Sequence, residues 1–234
     1  MSYLVVENLH KRYEGPQGGL EALKGVGFTV PAGDFVAVRG PSGCGKSTLL
    51  HILGAMDRPS EGSVRLRGQE LSSLTPDELA TFRRRHVGFV FQSFNLLPTL
   101  TVAENVALPL TLDGKLESAA RRRACALLDR VGLADRADYL PAQLSGGEMQ
   151  RAAVARAVAA EPALVLADEP TGNLDSTNGE AVMELLADLN ERSGLTILLA
   201  THSAEAARYA RRTLELRDGR LQRVVEHDGL SAPV

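Results

Sequence analysis

The chain has no tryptophan, and aromatic residues make up only 4% of it. It therefore has few platforms for stacking single-stranded nucleic acid and little material for the aromatic belts of membrane domains. Basic residues are not in surplus either: 26 Lys and Arg face 29 Asp and Glu, a formal net charge of -3. Such a balance gives no global attraction to a nucleic-acid backbone or an anionic membrane, so any phosphate binding has to be local. Two cysteines, Cys44 and Cys125, are too few for a disulfide framework and suit a reducing cytosol. Long apolar runs are missing as well. Segments 163–167 and 197–200 have the length of buried strands, far short of the roughly 20 residues that span a bilayer. The stretch from Met1 to Glu7 shows no basic segment followed by an apolar one, so no secretory signal is expected.

What is present is ordinary in bulk: 234 residues, 44% hydrophobic and 24% charged, enough for one large domain with a sizeable core. Strand patterns fill the first third, over 4–9, 27–30 and 35–39, with an edge hairpin strand near 62–68 and a Pro31 to Asp34 turn feeding Phe35. Helical patterns follow. Thr75-Pro-Asp-Glu78 supplies a cap, a first-turn proline and acidic residues, and a second helix is expected over 117–131. Its Arg121-Arg-Arg123 reads as a solvated face. From 163 onward the order is strand, helix, strand, over 163–167, 180–190 and 196–200. Buried strands alternating with helices predict a mostly parallel sheet covered on both faces, interrupted by a helical block from about 95 to 160.

The strongest local signal is Gly40-Pro-Ser-Gly-Cys-Gly-Lys46-Ser47, which fits GxxxxGK[ST]. It follows the strand 35–39 and precedes a helical pattern that begins at Thr48, the setting a phosphate loop requires. Small residues let backbone N–H groups close around phosphate oxygens, and the helix adds its positive end. Lys46 brings a point charge to the β- and γ-phosphates, and the Ser47 hydroxyl is a Mg²⁺ ligand. Cys44 reads as a small loop residue rather than a redox centre.

A second signal is the apolar strand 163–167 ending in Asp168-Glu169-Pro170. A carboxylate at the end of a buried strand beside a phosphate loop is placed to hold Mg²⁺ through water, which is the role read for Asp168. Glu169 projects differently and is the natural general base for an attacking water. His202, after the strand 196–200, is placed to donate to a terminal phosphate, and Gln92, after 87–91, to orient Mg²⁺ or water. Each of those two is a weak signal alone. Leu144-Ser-Gly-Gly-Glu148 opens a helix expected over 149–159 with Ser145 as N-cap, and its paired glycines make a second anion site suited to a partner's phosphate.

Taken in order, these motifs resemble the nucleotide-binding subunit of ABC transporters over essentially the whole chain. The phosphate loop, the Q-loop at Gln92, the LSGGE signature at 144–148, the Walker B segment 164–169 and the switch histidine His202 all correspond. Gly172-Asn-Leu-Asp175 is similar to the D-loop, and Tyr13 falls where the family places an aromatic that stacks on adenine. The finer likeness, in 91–98, 101–109 and 168–175, is to the branch of lipoprotein-releasing, macrolide-exporting and cell-division ATPases. Glu148 departs from the commoner Gln, and Met149 from a commoner polar residue.

The resemblance implies a P-loop NTPase (RecA-like) core over 1–94 and 161–234, with an N-terminal antiparallel β subdomain and an inserted α-helical subdomain over 95–160. ATP and Mg²⁺ are the implied cofactors. The nucleotide-binding set is Tyr13, Gly40, Ser42, Gly43, Cys44, Gly45, Lys46, Ser47, Thr48, Ser145, Gly147 and Asp175. Glu169, His202 and Gln92 are the implied catalytic residues; Ser47, Gln92 and Asp168 are the implied metal set. The implied assembly is an ATP-sandwiched homodimer driving an integral membrane permease subunit from the cytoplasmic face of the plasma membrane, with no nucleic-acid partner. Two alternatives stand beside it: a soluble ABC ATPase of DNA repair or translation, and a regulator of cell-wall hydrolysis acting through a membrane partner.

Overall fold

The computed structural model describes residues 3–14 and 19–227, and the apolar alternation of its central strands sorts them between two cores. The elements run β1 (Leu4–Tyr13), β2 (Leu20–Val30), β3 (Phe35–Arg39), α1 (Lys46–Leu53), β4 (Glu61–Leu66), β5 (Gln69–Glu70), α2 (Pro76–His86) and β6 (Val87–Phe91). There follow α3 (Val102–Leu112), α4 (Glu117–Arg130), α5 (Gly146–Val158), β7 (Leu164–Asp168), α6 (Ser176–Ser193), β8 (Thr196–Thr201), α7 (Ala204–Ala207), β9 (Arg212–Arg217) and β10 (Arg220–Glu226). One sheet is antiparallel, in the order β2-β1-β4-β5. The other has the order β10-β9-β3-β8-β7-β6 and is parallel except for the β9–β10 hairpin at its edge.

Successive side chains of a strand point to opposite faces, so an unbroken apolar run must be buried on both. Phe35, Ala37, Val165, Ala167, Ile197 and Leu199 face a core shared with α3, α4, α5 and α6. Val36, Val38, Leu164, Leu166, Leu198 and Ala200 face a second core closed by α1, α2 and the antiparallel sheet. This is the α/β architecture expected from the sequence, with an antiparallel β layer at the N-terminal side and helices α3 to α5 between β6 and β7. Met1 and Ser2 of the N-terminal stretch lie outside the described residues.

Several boundaries differ from the sequence reading for identifiable reasons. β1 continues past Leu9 to Tyr13, and β2 begins at Leu20 rather than Gly27. The added residues pair His10 to Tyr13 with 20–24 across register shifts at Leu9/His10 and Lys11/Arg12. Apart from Leu23 and Val26, buried three residues apart, they are exposed or half-buried and show no strict alternation. The signature helix begins at Gly146, three residues before the expected start, because Ser145 is its N-cap and both glycines lie in the first turn. α6 runs from an Asp175 cap to Gly194 at φ 62°, beyond the apolar stripe on either side. Capping boxes start α2 (Thr75 with Glu78), α3 (Thr101 with Glu104) and α5 (Ser145 with Glu148).

Gly88 in β6 is where α5 meets the sheet: a Cβ there would overlap the carbonyl oxygen of Ala157. Because the obstacle is backbone, the helix has to shift as a body. Gly88→Ala should cost about 1–3 kcal/mol, as overpacking does, and lower the melting midpoint by roughly 2–10 °C for a chain of this size. Differential scanning calorimetry checks this; an unchanged midpoint would show that α5 is free to move off β6.

Candidate nucleotide site

The carboxyl ends of β3, β7 and β8 lie side by side, with Arg39 in register with Thr201 and Asp168 in register with Ala200. The loops that leave these ends carry Gly40 to Ser47, Glu169 and His202 respectively, where parallel sheets gather their ligands. The loop after β3 is shaped by glycine. Gly43 and Gly45 have φ of 76° and 105°, in the left-handed region that favours glycine. A Cβ at Gly45 would stand 2.6 Å from the Ala22 carbonyl oxygen. Gly45 is also the N-cap of α1, and no side chain satisfies the first N–H groups of that helix. α2, α3, α5, α6 and α7 each have a side-chain cap, whereas α1, like α4, has none; the N-terminus of α1 opens at the loop, as an anion site requires. Lys46 is buried at 7% exposure and donates from Nζ to the carbonyls of Gly40 (2.9 Å) and Pro41 (3.1 Å). Cys44 is buried and packs with the core under the antiparallel sheet, a space-filling role. Ser42 and Ser47 are exposed and Thr48 is half-buried.

Glu169 sits at φ 46°, an uncommon value for a glutamate, with its N–H donated to Ala200 O at 2.9 Å. The turn aims its carboxylate back at the loop. Oε1 lies 3.9 Å from Lys46 Nζ and 2.9 Å from His202 Nδ1, while Oε2 accepts from the Thr201 hydroxyl at 3.2 Å. A carboxylate only accepts, so this contact places a proton on His202 Nδ1. Asp168, one residue earlier, points elsewhere: its Oδ1 is buried and has no hydrogen-bond partner among the described residues. A buried, unpartnered carboxylate oxygen beside a phosphate loop fits a hard cation. Among the described residues no cluster of three or more His, Cys, Asp or Glu exists to cage one. Mg²⁺ suits that poverty, since it keeps most of its water and takes one or two protein ligands plus phosphate.

Gln92 follows β6, whose Phe91 is in register with Asp168. Its side chain is not turned to Asp168: Nε2 donates to Asn173 Oδ1 (3.0 Å), and Asn173 Nδ2 donates to Gln92 O (3.1 Å). A Cβ on Gly172 would stand 2.8 Å from Gln92 Nε2, so glycine is what allows this contact.

The signature segment lies apart. Ser145 Oγ accepts from the Glu148 N–H at 3.3 Å and donates to Glu148 Oε2 at 2.8 Å, and Arg136 Nε reaches Glu148 Oε1 at 3.2 Å. Hydrogen bonds from the Ser145 N–H and hydroxyl, with Arg136 behind them, hold the Glu148 carboxyl below its usual range. Gly147 is buried against Asn178, whose Oδ1 a Cβ would overlap. Asp175 accepts from the N–H of Asn178 (2.8 Å) and from its Nδ2 (2.7 Å), so its carboxylate serves as the cap of α6. Among the described residues no hydrogen bond or ion pair joins 145–147 to 40–47. Tyr13, at the far end of β1, is 39% exposed and donates its hydroxyl to Asp57 Oδ2 at 3.0 Å.

Some supporting residues gave no signal in the sequence. Gln150, fully buried in α5, donates from Nε2 to Phe91 O (3.1 Å) and Pro170 O (2.6 Å), tying the signature helix to both site strands. Asn105 braces 97–101 through Leu97, Leu100 and Thr101. Asn173 lies in the D-loop-like segment, but nothing in the sequence pairs it with Gln92. An isolated Asn or Gln has no pattern around it; its meaning lies in which backbone groups it reaches.

The glycine loop after β3, the carboxylates after β7 and the sheet that presents them define a P-loop nucleotide hydrolase. The profile of the family described as ABC transporter matches residues 23–172, and the chain belongs to that family as an ATP-binding, ATP-hydrolysing cassette. It is 48% identical to an uncharacterised ABC transporter ATP-binding protein of Methanocaldococcus jannaschii, over 94% of this chain and 97% of the relative. It is 47% identical to a macrolide export ATP-binding/permease protein, MacB, of Syntrophobacter fumaroxidans, over 94% of this chain but 31% of that longer protein. Among solved structures it superposes with a TM-score of 0.89 and 42% identity on a dimeric, post-hydrolysis ATP-binding cassette bound to ADP and Pi, covering 97% of this chain and 99% of the other. These relatives place it with transporter cassettes rather than with ATPases of DNA repair or translation. Among the described residues no helix is long and apolar enough to cross a membrane.

Proposed function

We propose that two copies of this chain close head to tail around two ATP molecules and that opening and closing drives an integral membrane partner, in export, lipoprotein extraction or mechanical signalling. The observation that carries this reading is the division of the site. Lys46, Glu169 and His202 meet beside the phosphate loop and Asp168 ends the strand that leads to Glu169, while Ser145 and Gly147 stand at another helix start with no hydrogen bond or ion pair to the loop among the described residues. A second copy completes each site, and the dimeric cassette to which this chain is similar supports that arrangement. Within the chain, residues 95–160 form the helical subdomain and the remainder the α/β core.

In each site the backbone of Gly40 to Gly45 cradles phosphate, with Ser42, Cys44 and Thr48 in the same wall. Lys46 exchanges the carbonyls of Gly40 and Pro41 for phosphate oxygens. Bound Mg²⁺ supplies charge neutralisation at the β- and γ-phosphates; Ser47, Asp168 and, after release from Asn173, Gln92 are the residues that hold it. Glu169 takes the proton of the attacking water at its carboxylate. His202, held at Nδ1 by Glu169, donates to the terminal phosphate from Nε2 when that nitrogen also carries a proton. Tyr13 stacks on the base, and Ser145, Gly147 and Asp175 act across the interface.

The membrane partner rests on the MacB relative, in which cassette and permease share one chain. A tagged chain expressed in its native background should sediment with membranes and co-purify in mild detergent with a polytopic protein. Recovery wholly in the soluble fraction would sink the transport reading.

A further inference from the structure

Tyr13 is not a free aromatic at a strand end. Its hydroxyl donates to Asp57 Oδ2 at 3.0 Å, and the Lys11 ammonium stands over its ring at 4.8 Å from the centroid. Lys11 is itself fixed, donating to Asp57 Oδ1 at 2.6 Å and to Arg58 O at 2.8 Å. Asp57 Oδ1 also takes the Arg58 N–H at 2.7 Å. Burial works against the Asp57 charge, and the donors from Lys11, Arg58 and Tyr13 outweigh it, holding the carboxyl below its usual range. The side chains of Lys11 and Asp57 are 12% and 30% exposed, so the pair is shielded from solvent more than a surface ion pair is.

Two consequences follow from this geometry. A ring with a cation on one face and a tethered hydroxyl has one face left, and it cannot swing about χ1 without breaking the Asp57 contact. Second, Asp57 belongs to the turn that ends α1, donating its own N–H to His51 O at 3.3 Å. The helix whose first residue is Lys46 therefore carries at its other end the carboxylate that positions Tyr13.

We propose that Lys11 and Asp57 are positioning residues of the nucleotide site, which lock the Tyr13 ring as a one-sided platform for the base and set its place relative to the phosphate loop through α1. The proposal rests on the reading of Tyr13 as that platform. Its physical content is pre-organisation: the ring is ordered before the base arrives, so stacking does not have to order it. Lys11 also contributes a cation–π contact on the covered face.

The test compares two ligands, ATP and inorganic tripolyphosphate, by calorimetric titration of the full chain with Mg²⁺. Tripolyphosphate engages the phosphate loop and has no base. Tyr13→Ala should weaken ATP by roughly 5- to 150-fold, the range for loss of one stacked base, and leave tripolyphosphate unchanged. Asp57→Ala, Lys11→Met and Tyr13→Phe should each weaken ATP about two- to tenfold, again with tripolyphosphate unchanged. If Tyr13→Ala leaves ATP binding intact, Tyr13 is not the platform and the proposal falls with it. If Tyr13→Ala weakens ATP while Asp57→Ala, Lys11→Met and Tyr13→Phe do not, the platform stands and the clamp is overturned. Equal loss of both ligands in Asp57→Ala would also overturn it, since that variant would be acting through the fold of α1. Tyr13→Phe, which leaves the contacts of Lys11 and Arg58 with Asp57 in place, keeps the proposal testable should Asp57→Ala or Lys11→Met fail to fold.

Discussion

Glu169→Gln should stop turnover and leave a stable, ATP-bound dimer. The amide is nearly isosteric and can still accept the Thr201 hydroxyl through its oxygen, so the turn at φ 46° has no reason to change. What is lost is the proton acceptor, and general-base catalysis is worth on the order of 10²–10⁴ in rate. A negative charge 3.9 Å from Lys46 Nζ is lost as well. Removing it lessens repulsion of the incoming phosphates, so ATP affinity should hold or rise. With hydrolysis blocked, the ATP-closed form accumulates. Size-exclusion chromatography with light scattering, in Mg²⁺ and ATP, should show a dimer for the variant and a concentration-dependent mixture for the native chain. A monomer at saturating ATP, or turnover within tenfold of the native rate, would refute the role of Glu169.

Lys46→Ala should cost binding instead. Its ammonium is buried and held by two loop carbonyls, the arrangement of a donor waiting for a stronger acceptor. A hydrogen bond to a charged group contributes about 1.5–3 kcal/mol, so nucleotide affinity should fall roughly ten- to a hundredfold or more. The same change removes the brace across the loop, and a melting curve separates the two effects. An unaltered midpoint with weakened ADP and ATP binding in calorimetry assigns the loss to the phosphate contact. Unaltered affinity would remove Lys46 from the site.

Much of the site was legible because its chemistry is written in short, contiguous segments. The glycines at 43 and 45 announce left-handed backbone, Ser145 with Glu148 announces a capped helix start, and an apolar run ending in Asp168 announces a buried strand with a carboxylate at its tip. The central strands were legible for the same reason, since burial on both faces leaves nothing but apolar residues. The extension of β1 and the start of β2 were not, because register shifts break the alternation there and leave Leu23 and Val26, three residues apart, as the buried positions of 20–26. The contacts of Gln92 with Asn173, of Asp57 with Tyr13 and of Gln150 with two strand ends were invisible on other grounds. They join residues 81, 44 and as many as 59 positions apart, and sequence carries no trace of such proximity without the fold.

Gln150 gives α5 a mechanical property that a list of motifs does not suggest. Its single amide nitrogen holds the backbone just before Gln92 and the backbone just after Glu169. One end of this helix carries Ser145 and Gly147, which in the proposed dimer face a second copy, while Gln150 farther along is hydrogen-bonded beside β6 and β7. Its buried Oε1 has no hydrogen-bond partner among the described residues, so the amide is held through its nitrogen alone. A displacement of α5 that strained these two hydrogen bonds would be felt at Phe91 and Pro170 together, the neighbours of Gln92 and Glu169.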